Sequence, residues 1–198
     1  MNLLAHAHLS FSEPQILVGN MISDFVKGKK QFDYADIIYK GIKLHRAIDN
    51  FTDTHEATRE IKLIFWPQYR LYAGAFTDVV YDHFLANDTA EFPSGNHLLN
   101  FTAATYKILR DYEEVLPENF KHMLPHMIEH NWLYNYKYTS GIQKSFNGLV
   151  RRAVYLKESD IAFALFIQHY EKIKSMYTIF YPDLKKFATH QLQHLLND

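Results

Sequence analysis

A length of 198 residues, with 47% hydrophobic and 22% charged residues, suits one domain around one sizeable core. A net charge of −1 with His neutral gives no global case for nucleic acid or an anionic membrane, and no apolar run approaches the ~20 residues that span a bilayer. The absence of cysteine excludes disulfides and thiolate metal sites, so any metal has to be held by imidazole and carboxylate.

The start of the chain lacks the basic stretch, apolar run and small-residue cleavage site of a signal peptide, which predicts a cytoplasmic location. Leu3 to Phe11 is a short apolar segment interrupted by His6 and His8. Two residues apart, these imidazoles cannot both face the same way on a helix, so at most one of them joins any site. Ser12-Glu13-Pro14 reads as a helix start, with Ser12 as cap, and the helix is expected to run to Gly28. Leu17, Met21, Asp24 and Gly28 share a stripe of it, which places the Asp24 carboxylate on an apolar face.

The next helix, Asp36 to Thr52, has the clearest pattern. Ile38, Gly41, Ile42, His45, Ile48, Asp49 and Thr52 recur at steps of three and four and form one face. Its isoleucines turn that face inward and take His45 and Asp49 with them. Burying a polar group without a partner costs roughly 2–7 kcal/mol, and a charge more. A side chain or a cation therefore has to meet them. Asp53 follows one turn later and is as well placed for the helix end as for a site.

A helix from His55 to Phe65 ends at Trp66-Pro67. Another, from Tyr69 to about Asn87, carries Phe76, Val80, His83 and Phe84 inward, with Asp78 and Asp82 on its flank. Residues 87–96 form a loop rich in Asp, Pro, Ser and Gly. Further helices are expected over Leu98 to Leu116 (with Leu99, Ala103, Tyr106 and Leu109 in phase), from Pro117 through Trp132 to about Tyr138, and over Ile142 to Leu156. A last long one starts at Ser159-Asp160 and reaches Tyr181-Pro182, followed by a shorter piece. No stretch alternates with the period of a strand. The chain reads as all-α, a single domain over 1–198 with about eight or nine helices.

The stripes collect Asp24, His45, Asp49, Asp82 and His83 from three helices. Two imidazoles and three carboxylates suit a hard or borderline divalent cation: Mn²⁺, Mg²⁺, Fe²⁺ or Zn²⁺. Such an ion activates water and neutralises phosphoryl charge, and Arg46 offers a two-pronged grip on phosphate. Each residue alone is better explained by a hydrogen bond in the core or a solvated flank. The joint pattern carries the argument, because inward Asp residues are rare.

Four ordered blocks give the sequence a family likeness. Asn2 through Leu9 with His6 and His8, Gly19 through Gly28, Gly41 through Asp53 with its His-Arg-x-Ile-Asp core, and Asp78 through Leu85 resemble acyl carrier protein phosphodiesterases. Asn131-Trp132-Leu133, Asn147-Gly148-Leu149 with Arg152, and Phe180-Tyr181-Pro182 are similar as well. The resemblance implies an all-helical, HD-like phosphohydrolase domain and a divalent metal, typically Mn²⁺. It also implies removal of 4′-phosphopantetheine from holo-acyl carrier protein, an enzyme of fatty acid metabolism. The His-Asp order of HD enzymes is reversed here at Asp82-His83, and Lys43 stands where a second His is usual.

On this reading Asp24, His45, Asp82 and His83 hold the metal, and Asp49 orients or deprotonates water. Arg46 and Lys27 stabilise phosphoryl charge, while His6, His8, Asp53 and Asp78 form a surrounding shell. Lys27, Lys29, Lys30 and Lys43 are candidates for docking an acidic carrier protein. The alternatives are an HD-type hydrolase of a nucleotide or another small phosphodiester, and a helical binding protein with purely structural buried polar groups.

Overall fold

The computed structural model describes residues 1–197. Among them are eleven α-helices and no strand. The helices are α1 (Leu3–His8), α2 (Pro14–Ile22), α3 (Asp36–Thr54), α4 (Glu56–Tyr69), α5 (Ala73–Ala86), α6 (Gly95–Asp111), α7 (Glu118–Glu129), α8 (Trp132–Asn135), α9 (Thr139–Arg152), α10 (Asp160–Gln168) and α11 (Tyr170–Asn197). No helix among the described residues is long and apolar enough to cross a membrane.

α5 is the central rod. From Val79 to Ala86 every residue is buried, because α1, α4, α9 and α11 all pack against it. Its rings pack on those of its neighbours, Tyr81 stacked on Phe180 at 4.3 Å and Phe76 edge-on to Phe146 at 4.9 Å. Aromatic pairs of this kind add to the burial of their area.

α3 buries the face its periodicity predicts: Ile38, Gly41, Ile42, His45, Ile48 and Thr52, with Leu44 beside them. It lies along α2, and the two backbones nearly touch. A Cβ on Gly19 would sit 2.0 Å from the carbonyl oxygen of Ile38, and one on Gly41 would sit 2.4 Å from that of Ile16. Only glycine fits at either position.

The expected helix from Ser12 to Gly28 is shorter than its pattern. Glu13 stands at the cap position and Pro14 opens the helix. The α-helix stops at Ile22, passes through a 3₁₀ turn at Ser23–Phe25 and becomes extended at Val26 and Lys27. Gly28, at φ 59°, then starts a second 3₁₀ segment, Gly28–Asp33. Asp24 is thus on a turn and exposed, not on an inward stripe.

In α6 the buried stripe is Leu98, Thr102, Thr105, Tyr106 and Leu109, while Leu99 turns outward. Pro125 lies inside α7 and Pro182 inside α11 without ending either helix. The break expected near Pro182 falls instead at His169, between α10 and α11. A proline removes one N–H and disturbs one turn. In α11 the buried Phe180, Tyr181 and Leu184 hold that turn in place.

Candidate active site

The packing of α2 on α3 draws three groups together. His45 is buried on α3, and its Nε2 lies 3.0 Å from Asp49 Oδ2, one turn along the same helix, and 3.2 Å from Asp24 Oδ1 on the turn after α2. His6, from α1, lays its ring flat on that of His45, with centroids 3.8 Å apart and planes 13° from parallel. His6 Nε2 comes within 3.2 Å of Asp49 Oδ1. His6, His45 and Asp49 each offer a ligand atom within 4.8 Å of the other two. The one other grouping of this kind among the described residues, His126, Glu129 and His130 at the end of α7, is wholly exposed.

Asn20 holds both rings. His45 Nδ1 donates to its backbone oxygen at 2.7 Å, and His6 Nδ1 donates to its side-chain oxygen at 2.8 Å. The side-chain nitrogen donates to the backbone oxygen of His6 at 2.8 Å and to Ser10 Oγ at 3.1 Å. The amino group of Met1, also buried, lies 3.1 Å from Asp49 Oδ1 and 3.2 Å from Asp78 Oδ1.

The electrostatics centre on Asp49. Burial opposes its charge, but His45, His6 and the amino group of Met1 outweigh it and hold the carboxyl well below the usual range. Burial likewise opposes a charged His45. The carboxylates of Asp24 and Asp49 prevail and raise its pKa to about 9. His6 goes the other way: burial, and then the neighbouring charge of His45, bring it down to about 4. The amino group of Met1 rises to about 11, since Asp78 and Asp49 overcome its burial.

A neutral His6 with its proton on Nδ1 leaves a bare lone pair at Nε2. That atom is buried, has no hydrogen-bond partner among the described residues, and faces a carboxylate oxygen. Two acceptors in contact repel each other unless positive charge lies between them. Two imidazole Nε2 atoms with Nδ1 anchored behind, plus a carboxylate, form a donor set that fits a divalent cation such as Mn²⁺, Fe²⁺ or Zn²⁺.

The other residues singled out from sequence lie elsewhere. Asp82 is fully buried, and its two oxygens accept the backbone N–H groups of Leu4 and Ala5 at 2.7 and 3.1 Å. It caps the first turn of α1 and so fixes the helix that carries His6. Burial pushes its pKa up to about 7 against those two bonds. His83 has both nitrogens engaged, Nδ1 donating to the backbone oxygen of Tyr136 at 2.8 Å and Nε2 lying 2.9 Å from the Tyr170 hydroxyl. Inward position was legible for this pair, but the partners that use it up were not. His8 points away from His6, toward Tyr181 at 2.7 Å and Glu91 at 3.5 Å. Asp53 faces outward and pairs with Lys62 at 2.7 Å. Asp78 meets the cluster through the amino group of Met1.

Arg46 is exposed on α3, donating to Gln31 Oε1 and, at 3.4 Å, to the backbone oxygen of Val26. It ties down the segment that presents Lys27, Lys29 and Lys30, all exposed. Lys43 lies over the ring of Tyr39, 5.4 Å from its centroid. Sequence reasoning passed over Asn20, whose one signal was a fully polar side chain inside the otherwise apolar run Ile16–Ile22.

A family profile described as acyl carrier protein phosphodiesterase matches residues 1–184. The chain is 29% identical to the acyl carrier protein phosphodiesterase of Yersinia pestis over 191 residues, covering 96% of this chain and 99% of that one. It is 30% identical to that of Klebsiella pneumoniae subsp. pneumoniae with the same coverage. Against that of Photorhabdus laumondii subsp. laumondii it is 29% identical over 96% of both chains. No solved structure matches significantly.

Proposed function

The chain belongs to the acyl carrier protein phosphodiesterase family, and from that premise we propose that His6, His45 and Asp49 hold a divalent cation at which the phosphodiester of holo-acyl carrier protein is cleaved. The enzyme is a hydrolase of a phosphodiester. Water adds across the bond between phosphorus and the carrier serine oxygen, that oxygen takes a proton, and 4′-phosphopantetheine leaves. The observation that carries the metal reading is the buried lone pair of His6 Nε2 aimed at Asp49 with no donor to meet it.

The cation, when bound, supplies hydroxide at neutral pH and offsets phosphoryl charge. The protein's own groups do the rest. Asn20 anchors both imidazoles from behind. Asp49 is surrounded by positive groups and makes a poor base, which suits a ligand. Asp24 is exposed beside His45 and has a second carboxylate oxygen to orient the attacking water. Lys27, carried by the segment that Arg46 tethers, brings positive charge to the phosphoryl oxygens. Lys29 and Lys30 extend that basic rim toward an acidic carrier protein. Mn²⁺ is the expected ion. Magnesium prefers an all-oxygen shell that two imidazoles do not provide.

The test is mass spectrometry of holo-acyl carrier protein incubated with the enzyme and Mn²⁺. Loss of the phosphopantetheine mass, abolished by chelation and by His45→Ala or Asp49→Ala, is the expected result. Undiminished release by both variants, or by fully chelated enzyme, overturns the site.

A further inference from the structure

We infer that Asn20 is a positioning residue that fixes His6 and His45 in the one tautomer able to bind a cation; this rests on the reading of the cluster as a metal site. A backbone carbonyl only accepts. His45 Nδ1, 2.7 Å from the oxygen of Asn20, therefore carries its hydrogen there. The two ends of the Asn20 amide have the same shape, but the end away from His6 Nδ1 sits against the carbonyl of His6 and against Ser10 Oγ. The carbonyl requires a donor, so that end is the nitrogen and the end facing His6 Nδ1 is the oxygen. His6 Nδ1 carries a hydrogen too.

In the neutral rings both lone pairs are thereby driven to Nε2. The stacked rings, 13° from parallel, send the two Nε2 atoms to the same carboxylate. One residue at the end of α2 thus coordinates ligands from α1 and α3. It can do so because the contact of Gly19 with Gly41 brings the α2 backbone within a hydrogen bond of α3. Asn20 is fully buried and touches no substrate.

The experiment uses the full chain and Mn²⁺ alone, with affinity read by electron paramagnetic resonance. Asn20→Leu keeps the backbone acceptor for His45 and removes the one for His6. It is expected to weaken Mn²⁺ binding about 10- to 100-fold. The same change in a His6→Ala background is expected to add nothing, because Asn20 side-chain effects pass through His6. A merely structural residue would lower affinity in both backgrounds alike, and that result, or unchanged affinity in Asn20→Leu, overturns the inference.

Nitrogen-15 spectra of the metal-free wild type provide a readout independent of metal and of any variant's folding. His6 should show its proton on Nδ1, and a proton on Nε2 overturns the proposal. Should wild type bind no Mn²⁺ while His6 keeps the Nδ1 proton, the metal reading fails and the positioning role stands.

Discussion

Gly41→Ala tests whether the site is set by how closely α2 and α3 approach. The new Cβ would lie 2.4 Å from the carbonyl oxygen of Ile16, 2.9 Å from Gly19 Cα and 3.1 Å from Asn20 N. All three are backbone atoms, so no rotamer change relieves the contact, and the helices have to separate by roughly 1 Å to reach ordinary packing distance. Overpacking of this kind costs about 1–3 kcal/mol. The same separation stretches the 2.7 Å bond from His45 to the oxygen of Asn20 past its useful range, adding about 1–3 kcal/mol for a buried group left unpaired. Alanine returns at most about 1 kcal/mol through helix propensity. The net expectation is a loss of about 1–5 kcal/mol. Gly148→Ala, inside α9, is the control: its Cβ would meet only the end of Arg152 at 3.5 Å, so the propensity gain of about 0.5–1 kcal/mol should appear undiminished. Urea midpoints at unchanged m-value measure both, and Mn²⁺ affinity should fall in Gly41→Ala alone. If the two substitutions shift the midpoint in the same direction, the close approach does not set the site.

The pH dependence of the metal-free protein follows from His45. Its pKa is raised from 6.5 to about 9 in the fold, so its contribution is complete below pH 6.5 and is lost as pH climbs through about 9. Melting temperature should fall across that window and fall less in His45→Gln; equal slopes would rule His45 out as the source. Mn²⁺ competes with the same proton, so its affinity should rise over the same range, and calorimetric titrations at pH 7 and 8.5 would expose a flat dependence. Asp82→Asn puts an amide nitrogen against one of two backbone N–H groups and should cost about 1–3 kcal/mol. Wild-type stability in that variant would show that the cap on α1 is dispensable. Lys29→Glu with Lys30→Glu should raise KM for the carrier protein and leave kcat unchanged, with the defect growing at low salt. A fall in kcat at constant KM would place these lysines in the chemistry instead of at the docking rim.

Helix content and the inward face of α3 were written in the sequence, because a 3.6-residue period needs no knowledge of the rest of the chain. Ile38, Gly41, Ile42, His45, Ile48 and Thr52 follow it, while Asp49, on the same face, is only half-buried. The limit of one active imidazole from His6 and His8 came from the same geometry, and the structure sends the two rings to different partners. Asp24 escaped its predicted stripe because a helix can end before its pattern does, and the 3₁₀ turn at Ser23–Phe25 rotates it outward. Periodicity also put His83 inward with Asp82 on the flank beside it, but direction is a property of one helix and contact is a property of two. Which interior group meets α1's backbone, and which meets a second imidazole, was decided only when Gly19 and Gly41 let two helices touch and His6 was laid upon His45.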